Sequence, residues 1–426
     1  MTRTAPGFVP SPDQTAPDHA PNLYSPLDLP GGGRLANRFL KSAMSEVLAG
    51  PDGLPNTGHM RVYDRWAAGG TGLLVSGNVM VDPSALGEPG NLILEADTDL
   101  DPYKRLVAAV RDRPDAPEFW MQINHPGKQS PKFLTSEPVA PSAVPLGKGL
   151  EASFRPPRAL RGDEIRALVD RFAITAELAG QAGFTGVQIH GAHGYLVSQF
   201  LSPHHNRRED EWGGSRENRR RFVVEIVRAV RQRLGDDFPV GIKMNSADFQ
   251  RGGFGGDEAI DLIRVLSAEG ISLFEISGGT YEAPAMTGAK QSTREREAYF
   301  LDFAESARGA TDRPIAVTGG FRSVAAMERA VASGATDMVG LARGLCIDPE
   351  LPRHAAEDPA YCIDIGHPGT GFRVLDKMFM LAVAYYETQI GRMAKNKHPD
   401  PRLSAWRTVL SNGLALGRAA FRRRRA

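Results

Sequence analysis

The sequence has few of the features that mark several classes of protein. Only two of its 426 residues are cysteine, Cys346 and Cys362, which are too few for a four-cysteine zinc or iron–sulfur site. Two cysteines also suggest no disulfide scaffold, so a reducing compartment is expected. The formal net charge is +1, with 51 Lys and Arg against 50 Asp and Glu. The chain therefore lacks the basic field that a nucleic-acid or membrane-surface partner requires.

Long apolar runs are missing as well. The longest, residues 378–386, is far below the roughly 20 residues needed to span a bilayer. The N-terminus shows no secretory signal pattern. We therefore expect a soluble, cytoplasmic protein with no nucleic-acid partner and no membrane span.

The two ends of the chain differ from its middle. Residues 1–22 are rich in Pro, Ala, Asp and Thr without apolar periodicity, which predicts a flexible N-terminal tail. From Arg392 to the C-terminus there are ten Lys and Arg and one acid. Apolar residues at helical spacing (375, 378, 379, 382 and 386) predict a basic helical C-terminal extension over residues 361–426. This extension either packs on the main domain as a solvated helix or contacts another subunit or an anionic surface.

Eight β-type runs alternate with helical patterns between these ends. Strands are predicted at residues 38–42, 72–76, 119–123, 186–189, 240–244, 273–276, 315–318 and 338–341, and helices at 163–182, 217–234, 257–269, 298–309 and 323–334. Nearly continuous apolar strands that alternate with helices are typical of a parallel sheet buried on both faces. Eight such units favour an α/β protein with a (β/α)8 TIM-barrel fold over residues 23–360. A doubly wound sheet is the alternative, but no Gly-x-Gly-x-x-Gly motif follows any strand.

A (β/α)8 barrel carries its chemistry just after the C-terminal ends of the strands. His190, His193 and Tyr195 follow the fourth strand. The histidines are open to three interpretations: a metal pair that lacks a convincing third ligand, a structural pair that bonds to backbone, or two hydrogen-bond donors aimed at an electron-rich group. In the last interpretation Tyr195 is a proton donor; its plain alternative is core packing.

A phosphate site is the second candidate. Gly319 and Gly320 follow the seventh strand, and Ala342 and Arg343 follow the eighth. Paired glycines let backbone N–H groups approach an anion, and Arg343 supplies a fixed charge. The alternative is a tight turn beside a surface ion pair.

One long segment resembles a known family. Residues 190–222, HGAHGYLVSQFLSPHHNRREDEWGGSRENRRRF, are similar to the signature of the Old Yellow Enzyme family, and the similarity extends over residues 23–352. These are FMN-dependent ene-reductases and NAD(P)H:flavin oxidoreductases built on a TIM barrel. Larger members carry a four-cysteine iron–sulfur cluster and a further nucleotide-binding region, for which this chain has neither the cysteines nor the length.

The resemblance implies which residues contact FMN. The flavin would be lined by Ser42, Ala43, Met44, Ser45, Gly77, Gln122 and Lys243, and its phosphate held by Gly319, Gly320, Ala342 and Arg343. Two positions depart from the usual pattern. Ser45 replaces the usual Thr or Cys near flavin O4 and keeps a hydroxyl. Lys243 replaces the usual Arg near flavin N1 and O2, so it keeps the charge but loses the planar fork of donors.

The resemblance also implies the reaction. His190 and His193 would hold the carbonyl oxygen of an enone-type substrate, and Tyr195 would protonate its α-carbon, with no metal involved. The expected cycle is ping-pong, with NAD(P)H as electron donor and reduction of the activated C=C bond of an α,β-unsaturated carbonyl compound. The alternatives are a flavin-dependent dehydrogenase that oxidises an amine or a saturated ring, and a catalytically silent flavin-binding barrel. A homo-oligomer is expected because oligomers are common in the family, although no residue fixes the number of subunits.

Overall fold

A closed barrel of eight parallel strands organises the chain. The computed structural model describes residues 21–147, 149–283, 297, 300–366, 368–372, 375, 376 and 381–410. The strands are β1 (Phe39–Lys41), β2 (Leu73–Met80), β3 (Glu118–Asn124), β4 (Gly186–Gly191), β5 (Val240–Asn245), β6 (Leu273–Ser277), β7 (Ile315–Thr318) and β8 (Met338–Leu341). Each pairs with the next, and β8 pairs with β1 to close the barrel. All eight predicted strands and the (β/α)8 fold are therefore confirmed, and the doubly wound alternative is wrong.

Helices surround the barrel. They are α1 (Thr57–Ala68), α2 (Asp101–Arg111), α3 (Gly162–Gln181), α4 (Leu196–Leu201), α5 (Arg216–Leu234), α6 (Gly256–Ala268), α7 (Leu301–Arg308), α8 (Val324–Ala332), α9 (Arg343–Ile347), α10 (Leu351–Glu357) and α11 (Leu381–Ala394). Side-chain caps start several of them. Ser215 accepts a hydrogen bond from the backbone of Asn218 at the start of α5, and Ser323 does the same for Ala326 at the start of α8. Of the predicted helix at 298–309, residues 298 and 299 lie outside the described residues, and α7 begins at Leu301.

Short strands form three further pairings. Leu27–Asp28 pairs antiparallel with Arg34–Leu35, Val139–Ala140 pairs with Arg158–Ala159, and Leu92–Ile93 extends the sheet beside β2. The antiparallel hairpin packs its leucines against the apolar side chains in the N-terminal half of the barrel.

The N-terminal half of the barrel interior is filled by apolar side chains. Leu73, Val75, Trp120, Leu273 and Met338 are all fully buried there. The Trp120 indole occupies so much of this space that a Cβ on Gly186 would clash with its Nε1, and a Cβ on Gly241 would lie 2.6 Å from its Cζ3. Because apolar side chains fill the N-terminal half of the barrel, the space for polar chemistry lies in its C-terminal half.

The C-terminal extension contributes a docked helix. Helix α11 packs against α1 and α9 and buries one apolar face, which includes Tyr385, Tyr386, Ile390 and Met393. Helix α11 lies within the predicted helical extension, residues 375 and 376 are helical as well, and residues 373, 374 and 377–380 lie outside the described residues. Among the described residues, no helix is both long and apolar enough to cross a membrane. Most of the predicted tail at residues 1–22 and the basic run at 411–426 lie outside the described residues.

Candidate active site

A hydrogen-bonded layer of polar side chains crosses the upper barrel. Gln122 on β3 donates from Nε2 to Oε1 of Gln188 on β4 at 2.7 Å. Gln188 donates in turn to Oε2 of Glu275 on β6 at 2.7 Å. All three side chains are almost completely buried. This chain of bonds fixes the amide orientation of Gln122, one of the predicted flavin contacts.

Glu275 is the hub of this layer. Its Oε1 accepts hydrogen bonds from Ser42 at 2.8 Å and Thr318 at 2.7 Å, and it lies 2.9 Å from Nζ of Lys243. Burial alone would raise the pKa of the Glu275 carboxyl. The Lys243 charge, together with these hydrogen bonds, outweighs burial and lowers that pKa. Glu275 is therefore an ionised partner of Lys243, so the predicted flavin-facing cation is half of a buried ion pair.

The segment after β1 is clamped to β2. The Glu46 carboxylate accepts a 3.0 Å hydrogen bond from the backbone N–H of Gly77 and a further one from the Tyr63 hydroxyl. A Cβ on Gly77 would lie 2.8 Å from the Glu46 carboxyl carbon and 2.9 Å from the carbonyl oxygen of Met44. Only glycine fits at position 77, so the predicted small residue beside the flavin is required by packing within the protein.

The two predicted histidines lie side by side at the end of β4. Their ring centroids are 5.3 Å apart. The backbone N–H of Ala192 donates to Nδ1 of His190 at 3.3 Å, which leaves the proton of the neutral ring on Nε2. His193 has a left-handed φ of 61°. Its backbone N–H donates to Asn245, and its Nε2 lies 3.0 Å from the Ser277 hydroxyl.

Burial and neighbouring positive charge keep both imidazoles neutral. Burial lowers the pKa of His190 well below its ordinary value, and His193 and Lys243 lower it further. Burial, followed by the Lys243 charge, lowers the pKa of His193 to about 3. Each ring therefore carries one N–H and no charge at neutral pH. Both rings can donate hydrogen bonds to a substrate oxygen, but neither places a full positive charge beside it.

Tyr195 lies against the same pair. Its ring centroid is 4.8 Å from that of His190, and its hydroxyl oxygen is 3.1 Å from that of Tyr281, in the loop after β6. Burial, with the nearby Tyr281 and Glu88, raises the pKa of Tyr195 well above its ordinary value. The phenol is therefore protonated over the whole working range of pH, as a proton donor must be.

The predicted phosphate residues meet at adjacent strand ends. Thr318 of β7 pairs with Gly340 of β8, so Gly319 and Gly320 lie beside Ala342 and Arg343. The two glycines have left-handed φ values of 130° and 95°. Among the described residues, Arg343 forms no ion pair; its guanidinium carbon lies 5.9 Å from the centre of the Tyr386 ring. A partly exposed arginine beside a glycine turn, with no acidic partner among the described residues, suits a phosphate.

The turn that follows already holds an anion. The Glu297 carboxylate accepts hydrogen bonds from the backbone N–H groups of Arg322 at 2.7 Å and Ser323 at 3.1 Å. These amides belong to the same strand-to-helix connection as Gly319 and Gly320. The connection therefore has the donor geometry of an anion site. Together with the Gly77 cradle and the oriented Gln122 amide, the residues present fit FMN.

A separate histidine cluster lies outside this site. In the described part of the chain, His204, His205 and Glu282 form the one group close enough together to hold a metal ion. However, Nζ of the buried Lys128 lies 2.8 Å from Nδ1 of His205, and a cation there opposes metal binding. His190 and His193 are not in this group, and the absence of a metal at those two stays a prediction.

Several residues of the site were missed from the sequence. Gln188, Glu275 and Glu46 are single polar residues within apolar or mixed runs, and nothing local distinguishes them. For Glu275, the available signal was strand register, because Lys243 of β5 lies directly opposite Glu275 of β6. Tyr281 follows a Gly-Gly-Thr turn after β6, at a strand end where polar residues are expected to matter.

Comparisons with known proteins identify relatives of this chain. Residues 22–360 match the NADH:flavin oxidoreductase / NADH oxidase family. The chain is 38% identical over 352 residues to the NADH-dependent flavin oxidoreductase iliE of Hypocrea jecorina, covering 77% of this chain and 87% of that protein. A 2-naphthoyl-CoA reductase complex matches with a TM-score of 0.74 and 28% identity, over 80% of this chain and 53% of that one. Morphinone reductase in complex with tetrahydroNAD matches with a TM-score of 0.68 and 26% identity, over 82% of this chain and 93% of that one.

Proposed function

Because the chain belongs to the Old Yellow Enzyme family of NADH:flavin oxidoreductases, we propose that it is an ene-reductase that reduces the activated C=C bond of α,β-unsaturated carbonyl compounds. The observation that carries this proposal is the group formed by His190, His193 and Tyr195. Two neutral N–H donors and one protonated phenol lie together at the end of β4. That combination suits a carbonyl oxygen that gains negative charge while a neighbouring carbon gains a proton.

FMN is the cofactor and NAD(P)H the electron donor, as the sequence predicted. When bound, FMN would supply the hydride-transfer chemistry between NAD(P)H and the substrate. The residues proposed to hold it are the segment from Ser42 to Ser45 with Gly77 along the ring, Gln122 and Lys243 at the pyrimidine edge, and the phosphate group formed by Gly319, Gly320, Ala342 and Arg343. The proteins of this family bring the redox chemistry in with the cofactor, so the chain itself supplies orientation and electrostatics.

The histidines are proposed to polarise the substrate. As hydride reaches the β-carbon, electron density moves to the carbonyl oxygen, and the Nε2–H of His190 can donate a hydrogen bond to it. His193 is anchored by Asn245 and Ser277, which fixes its ring without a change in charge. Preorganised neutral donors of this kind stabilise developing charge without reorganisation at the moment of reaction.

Tyr195 is proposed to deliver the proton to the α-carbon. Its phenol stays protonated because burial raises its pKa, and the neighbouring Tyr281 hydroxyl at 3.1 Å can stabilise the phenolate that remains after transfer. Burial raises the pKa of Tyr281 to about 12, so it too is a hydrogen-bond donor at neutral pH. Tyr195 can therefore give its proton to the substrate, while Tyr281 donates a hydrogen bond to the Tyr195 oxygen.

The proposal is tested by spectroscopy followed by turnover. The purified protein should be yellow, and NADH or NADPH oxidation should depend on 2-cyclohexenone or maleimide. A flavin that is reduced by an amine or a saturated ring but never reoxidised by an enone would favour the dehydrogenase alternative. Flavin that neither donor nor substrate affects would indicate the catalytically silent barrel. A homo-oligomer, a cytoplasmic location and the domain boundaries at residues 22 and 360 stay predictions.

A further inference from the structure

The histidine cluster beside the candidate site continues into a buried lysine. Nζ of Lys128 lies 2.8 Å from Nδ1 of His205, and Nε2 of His205 lies 3.6 Å from Oε2 of Glu282. The three residues are 1%, 3% and 9% exposed. They come from the loops after β3, β4 and β6, so one buried polar network, here called the Lys128 network, joins three loops at the C-terminal end of the barrel.

The chemistry of these groups fixes the direction of the contacts. A charged ammonium group has hydrogens to donate and no lone pair, so Nδ1 of His205 is the acceptor and the ring proton is on Nε2. Burial, followed by the Lys128 charge, lowers the pKa of His205 to about 2, which keeps the ring neutral. Burial lowers the pKa of Lys128 to about 8 against the opposing effect of Glu282, so the lysine is mainly charged at neutral pH. A buried cation and a buried carboxylate are therefore connected through a neutral imidazole.

The Lys128 network holds the loop after β3 at two places. Nζ of Lys128 donates to the carbonyl oxygen of Val144 at 3.0 Å. A little further along the loop, the backbone N–H of Gly147 donates to Oε1 of Glu282 at 2.8 Å. Both contacts are made to the backbone, so they fix the path of the loop whatever side chains it carries. The loop after β3 is thereby attached to the loop after β6.

Glu282 shares a tight turn with Tyr281, the hydrogen-bond partner of the proposed proton donor. The ends of this turn, residues 280–283, exchange backbone hydrogen bonds of 3.1 and 3.2 Å. Thr280 also forms a parallel β-bridge with His193. Glu282 and Tyr281 are thus the two central residues of one turn, which is attached on one side to the segment after β4 and on the other to the Lys128 network.

The Tyr281 side chain contacts both the loop after β3 and Tyr195. Its ring centroid lies 6.2 Å from that of the buried Phe154, which belongs to the loop after β3. Its hydroxyl oxygen lies 3.1 Å from that of Tyr195. The place of this hydroxyl therefore depends on two segments, the loop after β3 and the turn at residues 280–283, and the Lys128 network joins the two.

We propose that the Lys128 network positions Tyr281: it fixes the loop after β3 and the turn at residues 280–283 relative to each other, and so holds the Tyr281 hydroxyl beside Tyr195. The inference deepens the proposed function and rests on it. After Tyr195 gives its proton to the α-carbon, a phenolate remains until solvent reprotonates it. A fixed Tyr281 hydroxyl donates to that phenolate without reorganisation, whereas a mobile one must first be ordered at a cost in conformational entropy. The residues of the network touch no substrate in this role and act only through Tyr281.

Stopped-flow measurement of the two half-reactions of the holoenzyme tests the inference. Glu282→Ala and Lys128→Met should each slow reoxidation of the flavin by 2-cyclohexenone about tenfold, the effect expected from loss of about one hydrogen bond. Reduction of the flavin by NADPH should stay within about twofold of wild type, because hydride transfer to the flavin needs no proton from Tyr195. Glu209→Ala is the matched control, since Glu209 is exposed in the same loop as His205 and its loss should change neither rate.

A double-variant comparison separates positioning of Tyr281 from a general effect on the fold. Tyr281→Phe removes the hydroxyl and should itself slow reoxidation about tenfold. Glu282→Ala added to Tyr281→Phe should then slow reoxidation by less than about twofold more, because the hydrogen bond that Glu282 supports is already gone. Glu282→Gln keeps the size of the side chain and an acceptor for Gly147, and it replaces Glu282→Ala in the comparison should the alanine variant not fold.

Three results would overturn the inference: rates in Glu282→Ala and Lys128→Met that match the Glu209→Ala control, equal slowing of both half-reactions, or effects that multiply fully in the double variant. Each of these, obtained with a wild-type enzyme that reduces 2-cyclohexenone, disproves the inference alone. Wild-type flavin that NADPH reduces but 2-cyclohexenone never reoxidises disproves the proposed function instead.

Discussion

The buried pair of Lys243 and Glu275 gives the sharpest prediction about stability. Glu275→Gln preserves shape but removes the negative charge 2.9 Å from the Lys243 ammonium. At an effective dielectric constant of about 20, a charge pair at that distance attracts by about 6 kcal/mol. Much of this offsets desolvation, and removal of one partner from a buried pair typically costs about 3–5 kcal/mol. We expect Glu275→Gln to lower the free energy of unfolding by that amount.

The assay is urea denaturation at a fixed FMN concentration, because bound ligand adds stability of its own. Glu177→Gln is the control: it breaks an exposed pair with Arg233 and should cost less than about 1 kcal/mol. The double variant Lys243→Met/Glu275→Gln removes both charges and should recover most of the loss. A cost below about 1 kcal/mol for Glu275→Gln, or simple additivity in the double variant, would refute the reasoning.

The same pair sets a pH dependence. Because Lys243 and the hydrogen bonds lower the pKa of Glu275 in the folded state below its ordinary value of 4.5, the unfolded state binds the proton more readily. The stability from this group is complete above about pH 4.5 and is lost as the pH falls through the lowered pKa. Wild type and Glu275→Gln should therefore converge in acid and differ most near neutrality.

Three further predictions concern the chemistry. Tyr195→Phe should slow reoxidation of the flavin by 2-cyclohexenone by about 10²–10⁴-fold while flavin reduction stays within about twofold; equal slowing of both, in stopped-flow traces, would exclude the proton-donor role. His190→Ala with His193→Ala should weaken binding of phenolic ligands by about 100-fold, since two hydrogen bonds are lost; unchanged charge-transfer titrations would count against the oxyanion assignment. Arg343→Ala should raise the dissociation constant for FMN by about 10- to 100-fold, as fluorescence titration would measure, whereas unaltered affinity would place the phosphate elsewhere.

The barrel could be predicted from the sequence because its strands are buried on both faces and therefore nearly all apolar. The eight predicted strands differ from the observed ones by only a few residues at each end. His190, His193 and Tyr195 could be found because they follow a strand directly, where the fold concentrates chemistry. The structure confirms that these three side chains lie together, and their roles in the reaction stay proposals.

The rest depended on contacts between distant parts of the chain. The role of Glu275 depends on its register with Lys243 and on its hydrogen bonds to Ser42 and Thr318. The sequence of a single strand reveals none of these contacts. The contact between Ser45 and Glu387 spans 342 residues, and α11 lies beyond the part of the chain that resembles the family. The extension, whose role the sequence left open, thus reaches the site with at least one side chain.

Single-turnover analysis with deuterated NADPH tests the central claim most directly. The holoenzyme is reduced anaerobically with NADPH that carries deuterium on the transferable position, the excess is removed, and 2-cyclohexenone is added. The account predicts reoxidation of the flavin and one saturated ketone per flavin, with deuterium on the β-carbon and a solvent-derived proton on the α-carbon. Flavin that stays reduced in the presence of the enone, or a product with no label on the β-carbon, would contradict it.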